Sequence, residues 1–446
     1  MKQRISRRTF LLGMAALPLI SALPQGREEG KAMTIDVRAL VREASSKIQG
    51  KKVVAIIPDS TRSGGKHIGE GLRGLYDAKA VELEKLVALV ALGTHGAMAL
   101  PDILKYLCIS KEEHLERMPK LAFLNHEWGN PSAFAEVGTV SAREWLRLSG
   151  GAMDLREFRR GEGVKVRFNK IAAEADDIVI MGPVIPHEVV GCSGGLKYCS
   201  PGIGDPELTG CTHWLGAALT IPEVIGRIAT PVREVITHCV SLMRGPRKHA
   251  LTLVPDGETL RGAYFGSAEE AYLQAAKLTV KVNIEYTGRR YKKVLALLDP
   301  RYDELWTGGK GSYKLIQLVE PGGKLVIYAP HLSTISRTWG RGIESVGYHC
   351  LDFIKARLGD YLEKGINPCV LAHVTHVYGP GTCENGIETP SAVHLATGLS
   401  AETCKKINLR YIDPAVIDIE AWRKDPDTYV ADHAGERLVL PGKGPV

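Results

Sequence analysis

Three short apolar runs, each ending in a polar loop, constrain this chain more than any other feature. Residues 52–58 read KVVAIIP and exit into Asp59-Ser60-Thr61-Arg62-Ser63-Gly64-Gly65. Residues 85–92 read KLVALVAL and exit into Gly93-Thr94-His95-Gly96. Residues 177–181 read DIVIM, and their exit carries Pro186-His187. Short continuous apolar runs bounded by turns are strands buried on both faces, as in a parallel sheet. A helix is expected after the first loop, and another from Leu100-Pro101, since proline suits a first helical turn. In open α/β sheets ligands sit beyond the carboxyl ends of the strands. The three loops are therefore expected to converge on one site.

The second half repeats the pattern. Residues 242–266 read as strands turned at Pro255-Asp256-Gly257, and residues 267–281 as a helix bridging to a second domain. Further strands are expected at 293–298, at 323–329 before Pro330-His331, and at 370–374 before the turn Gly379-Pro380-Gly381. The fold class expected is α/β: two α/β domains with mostly parallel sheets and the active site between them. The domains expected are 33–266 and 267–446, preceded by an export segment at 1–32.

That segment starts with a basic stretch and continues with an apolar run over residues 10–23. The run is short for a bilayer span and fits the apolar part of a signal peptide. Ser6-Arg7-Arg8-Thr9-Phe10-Leu11-Leu12 resembles a twin-arginine signal, which implies twin-arginine export machinery as a partner and a periplasmic or other extracytoplasmic location, with no stable membrane span in the mature form. Ala22 and Ala32 are the candidate cleavage positions. Residues 1–32 hold six basic and two acidic side chains, so without them the net charge falls from +7 to +3. The body of the chain makes no case for nucleic acid binding. Nine cysteines without regular spacing do not form a disulfide framework.

Four loops carry the chemistry. Thr61, Arg62 and the glycine amides beside them suit an anion, or form a plain turn. His95 and His187 follow strand ends, where an imidazole is either a neutral-pH base or a satisfied loop residue. Ser193-Gly194-Gly195-Leu196-Lys197 reads as a phosphate cradle, as a lysine held for covalent chemistry, or as a turn with a solvated lysine. His213 stands as a metal ligand with Cys211 as a soft neighbour. No H-E-x-x-H or C-x-x-C occurs, so hydrolytic zinc chemistry has little support.

Together these motifs resemble the nickel-dependent lactate racemase family, which racemises or epimerises 2-hydroxy acids. The resemblance rests on D-x-T-R at 59–62, G-x-H at 93–95, P-H at 186–187, S-G-G-x-K at 193–197, P-G-I at 201–203, His213 and the loop Trp306–Lys310. It implies a nickel-pincer nucleotide (Ni(II) pyridinium-3,5-bisthiocarboxylic acid mononucleotide) tethered to Lys197, with His213 completing the nickel site. It implies His95 and His187 as paired bases, Arg62 and Lys310 as holders of the substrate carboxylate, and cofactor maturation enzymes as partners. Asp59, Thr61, Ser193, Gly194 and Gly195 would help seat the cofactor. The sequence departs from the family at Leu196, where an arginine is usual, at Ser63, where proline is usual, and at Trp306 and Thr307, where Tyr-Gln is common. The last pair would line the substrate and points away from lactate, toward a larger or differently polar 2-hydroxy acid or a sugar acid. The rival readings are a two-lobed periplasmic solute-binding protein and a non-catalytic paralogue.

Overall fold

The computed structural model describes residues 20–22, 35–158 and 161–444. Most of the expected export segment lies outside them. Seven strands form the first sheet: β1 (Ile20–Ala22), β2 (Lys52–Pro58), β3 (Lys85–Ala91), β4 (Leu121–Asn125), β5 (Asp177–Pro183), β6 (Arg247–Asp256) and β7 (Thr259–Ser267). Their order is β1-β7-β6-β5-β2-β3-β4. From β6 to β4 every pairing is parallel, while β7 is antiparallel to both β6 and β1.

The apolar runs behave as expected of two-faced strands. Val54 and Ile56 of β2 enter one core cluster, while Val53, Ala55 and Ile57 enter another. Helices α1 (Gly65–Lys79) and α2 (Leu100–Tyr106) cover the second of these faces. Helix α3 (Pro206–Leu219) belongs to the first, where Asp205 caps it by accepting from the Leu208 amide at 2.8 Å and Pro206 opens it. Helix α4 (Ala268–Val282) packs on β6 and β7. The boundary expected at residue 266 thus falls one residue before the end of β7, beside the helix that covers it.

The second sheet is wholly parallel, with order β11-β10-β9-β8-β12, where β8 is Tyr291–Leu298, β9 Val319–Ala329, β10 Val393–Thr397, β11 Arg410–Tyr411 and β12 Thr428–Ala434. The strand expected at 370–374 is instead part of helix α7 (Pro368–Tyr378), and the loop expected at 306–310 folds into two short helices, α5 (Leu305–Gly308) and α6 (Lys310–Tyr313). Helix α7 has an Asn367 cap accepting from the Cys369 amide, Pro368 in its first turn and Gly379 at φ +83 beyond its end. These are helix start and stop signals. They outweigh the β-branched run, which on a fully buried helix reads like a strand.

Both sheets reverse direction at an inner strand. In the first, the chain builds outward from β2 to β3 and β4, then crosses to β5 on the other side. In the second it builds from β8 to β9, β10 and β11, then returns to β12. Such reversals open a crevice at the carboxyl ends of the strands. The core covering one face of the first sheet runs unbroken into that of the second. Among the described residues, no helix is long and apolar enough to cross a membrane.

Candidate active site

One cleft collects the loops. It is lined by Asp59, Arg62, His95, His187, Lys197 and His213 from the first half of the chain, and by Trp306, Lys310, His373 and His376 from the second. The loop after β3 is fixed to the lysine loop: the Gly93 amide donates to the Gly202 carbonyl at 2.8 Å, and the Gly202 amide to the Lys197 carbonyl at 3.3 Å. Indole N–H groups hold the same loop from outside, Trp128 on the His95 carbonyl at 2.9 Å and Trp339 on the Thr94 hydroxyl at 3.1 Å.

His95 Nδ1 lies 2.6 Å from Asp59 Oδ2. Asp59 Oδ1 accepts from the Thr61 amide and hydroxyl, and the Thr61 hydroxyl in turn accepts from Arg62 at 2.7 Å. Burial opposes the Asp59 charge, but His95, Arg62 and Thr61 overcome it and hold the carboxyl far below its usual range. Asp59 therefore stays ionised and directs Nδ1–H of His95 toward itself, leaving Nε2 as the free position.

His187 is set up differently. Its Nδ1 accepts the Val189 amide at 3.2 Å, which places the ring proton on Nε2. Burial first, then the cations Lys197, Arg62, Lys314 and Lys310, push its pKa well below the ordinary value, so the ring is neutral. The two histidines thus enter the cleft as unlike partners, one with a bare nitrogen and one with an N–H.

Lys197 sits on a single 3₁₀ turn (Gly195–Tyr198). Burial and the Arg62 charge bring its amine down to about 7, so much of it is unprotonated and nucleophilic near neutrality. His213 projects from α3, and its Nδ1 donates to the Thr209 carbonyl at 2.8 Å one turn back. That bond fixes the tautomer with a lone pair on Nε2, the arrangement usual for a metal-ligating imidazole. Burial lowers the ring to about 4, which keeps it neutral, as ligation requires. Lys310 is 7% exposed, and burial beside Arg62 pushes its pKa well down.

Five of the expected site residues do not line the cleft. Thr61 acts on Asp59. Ser193 accepts from the Ile185 amide and donates to the Pro183 carbonyl, tying the loop to the end of β5. Gly194 and Gly195 have φ of +83 and +58, and a Cβ would fall 2.5 Å from Val184 and 2.9 Å from Tyr272 respectively. These residues let the lysine loop pack against the strand. Thr307 is buried with its hydroxyl on the Glu304 carbonyl. Among the cleft residues that the sequence did not point to are Glu188, Thr209, His373 and His376. The two histidines were hidden by reading 370–374 as a strand; the helix signals at Asn367-Pro368 would have placed them one turn apart on one face.

The description Lactate racemase N-terminal domain matches residues 159–218, the span that holds His187, Lys197 and His213. A crystal structure of a protein from Thermotoga maritima is 30% identical, covers 92% of this chain and 99% of its own, and superposes with a TM-score of 0.81. The lactate racemase apoprotein from Thermoanaerobacterium thermosaccharolyticum shares the fold at 17% identity and a TM-score of 0.63, covering 91% of this chain and 93% of its own. No curated protein matches the chain by sequence. The chain is thus similar over its full length to the Thermotoga maritima protein, and the match to the lactate racemase N-terminal domain falls on the segment that holds His187, Lys197 and His213.

Proposed function

We propose that the protein racemises or epimerises a 2-hydroxy acid, using a nickel-pincer nucleotide joined to Lys197 with the nickel also held by His213. The observation that carries this reading is the shared cleft of a lysine poised as a free amine and a histidine whose Nε2 is free, neutral and fixed in direction. The donor set fits the group: an amine to acylate, an imidazole nitrogen to ligate, and Arg62 to balance anionic charge. When bound, that group supplies the acceptor for the substrate's C2 hydride.

The chain's own residues handle protons and position. His95 Nε2, backed by Asp59, takes the hydroxyl proton as the C2 hydride leaves. His187 Nε2–H donates a hydrogen bond to the same oxygen while His95 holds the proton and returns it; for the opposite enantiomer His187 takes the proton from the tautomer with Nε2 bare, so each ring moves only between its neutral and cationic forms. Arg62 and Lys310 hold the carboxylate, so the flat keto acid stays in place long enough to present its other face. Trp306 lines the cleft, and Trp339, its ring 6.3 Å away, backs it.

Intact-mass and metal analysis of protein co-produced with its maturation enzymes tests the reading. The expected result is an added nucleotide mass and about one nickel per chain, both lost in Lys197→Ala. Nickel content in Lys197→Ala equal to wild type refutes the assignment. A bare Lys197 with tight hydroxy acid binding would instead describe a two-lobed binding protein. Residues 1–32 are proposed to direct export, which fractionation of cells expressing the full and the shortened chain would decide.

A further inference from the structure

Outside the cleft, a short hairpin packs beside the start of the helix Leu351–Ala356. The hairpin pairs Cys383–Glu384 with Ile387–Glu388 through Asn385 and Gly386, at φ of +51 and +81. Asn-Gly with both residues at positive φ is the two-residue turn that fixes the register of a hairpin. Here the register sets Cys383 directly opposite Glu388. Residues directly opposite each other project from the same face. The ladder continues one pair further, with the Thr389 amide on the Thr382 carbonyl and the two threonine hydroxyls 3.0 Å apart.

On that face Glu388 reaches the residues before the helix. Its Oε2 lies 2.6 Å from His349 Nδ1, and its Oε1 accepts from the Cys350 amide at 2.8 Å. The chain leading into the hairpin passes as closely. A Cβ on Gly381 would fall 3.2 Å from the Cβ of Cys350. Cys383 stands two residues further on, and in an extended chain it projects to the same side. It packs against the core cluster that contains Cys350. Register and backbone thus turn the Cys383 thiol toward Cys350. Cys350 is buried and Cys383 half-buried, so reagents reach the pair through Cys383. Burial pushes the Cys350 thiol up to about 11, and a hydrogen bond to Glu388 adds to the shift.

We propose that Cys350 and Cys383 are a disulfide-forming pair, closed by exchange with a low-molecular-weight disulfide of the glutathione class. The Cys383 thiolate attacks one sulfur of that disulfide, breaks its S–S bond and releases one thiolate. Cys350 gives its proton up past Glu388 to water and attacks the Cys383 sulfur of the mixed disulfide, which releases the second thiolate. The two protein thiols lose two electrons and two protons, and the small disulfide gains them as two thiols. The link is a single staple rather than a framework. It joins the hairpin to the segment whose Tyr348 hydroxyl holds His373 at 3.0 Å. The same hairpin holds the end of α7, since the Tyr378 hydroxyl donates to the Thr389 carbonyl at 2.7 Å. Closing a loop of chain constrains the unfolded state most, so the staple acts on resistance to unfolding. The export proposed above would bring the chain to an oxidising compartment, but the pair itself does not depend on it.

The test uses the full chain, purified under reductant and then equilibrated with excess oxidised glutathione. Peptide mapping without reduction should show residues 350 and 383 joined, at a mass about 2 Da below the sum of the two free peptides. Oxidised wild type should unfold at a higher denaturant concentration than reduced wild type. Cys383→Ser, at the half-buried position, should fold and show no such redox dependence. Both thiols still open to alkylation in excess oxidised glutathione overturns the proposal. So does a glutathione that stays on Cys383, because Cys350 would then be out of reach. A link that forms only in denaturant overturns it too, since the native contact would not be its cause. None of these readouts involves nickel or turnover, so the racemase reading stands or falls separately.

Discussion

His95 and His187 look interchangeable in the sequence, and the residues around them make them unlike. Asp59 backs only His95, and its depressed pKa shows how strongly the pair is held. Asp59→Asn keeps the shape but removes the charge that favours proton uptake at Nε2. Turnover should fall about 10²- to 10⁴-fold while nickel content is unchanged, because both carboxylate oxygens are occupied by His95 and Thr61 rather than facing a cofactor. Undiminished turnover in Asp59→Asn would remove His95 from the proton path. A second histidine makes an independent prediction. His126 is 1% exposed, faces the Gly204 carbonyl through Nε2, and is lowered by burial from 6.5 to about 4. Between these values the unfolded chain takes up a proton that the folded chain refuses. This stability is complete above pH 6.5 and falls as pH drops toward 4, by up to about 1.4 kcal/mol per pH unit. Denaturant unfolding of the apoprotein at pH 7 and pH 5 should show a smaller loss for His126→Gln than for wild type. Equal losses would mean the ring titrates normally in the fold.

Among the elements, α3 connects stability most directly to the site. Asp205 caps the helix and also accepts from Arg167 at 3.0 Å, and two turns on the same helix aims His213. Asp205→Ala should destabilise the protein by about 1–2 kcal/mol. It should also weaken nickel retention, since the Thr209 carbonyl that orients His213 lies in the first turn. A variant that loses the stability yet keeps nickel as tightly as wild type would show that the turn holds its shape without the cap. Strand signals were legible because β2 and β3 are buried beyond their first lysine, β5 is buried throughout, and all three end at turn residues, so pattern and structure agree. The convergence of their exits was legible too, since His95, His187 and Lys197 stand at strand ends or just beyond and line one cleft. Helix α7 was not, because buried on every side it shows no amphipathic period. The roles of Thr61, Ser193 and Thr307 were not legible either. A hydroxyl near a site looks the same in sequence whether it meets a ligand or a backbone carbonyl a few residues away.

At the scale of the whole molecule, the cleft exists only while the two sheets keep their relation, and helices α3 and α7 set it. They pack closely, with Asn367 Nδ2 donating to the Pro206 carbonyl at 3.2 Å. They approach closely at Gly210, where a Cβ would sit 2.7 Å from Asn367 Oδ1 and 3.1 Å from the Pro368 ring. Asn367 cannot simply turn aside, because Oδ1 is the cap of α7, accepting from Cys369 at 2.9 Å. Gly210→Ala must therefore either break that cap or push the helices apart. Pushing them apart moves His373 and His376 away from His213, and changes the cleft without touching any residue that lines it. The expected cost is about 1–3 kcal/mol for the overpacking, with activity lowered at constant nickel content. Asn367→Gly alone should cost only a few tenths of a kcal/mol, since glycine is itself a serviceable cap. In the double variant the clash is gone, so stability should return most of the way, a coupling that a denaturant double-mutant cycle reads directly. Strict additivity of the two changes would mean that the helix contact at Gly210 does not set the distance between the sheets.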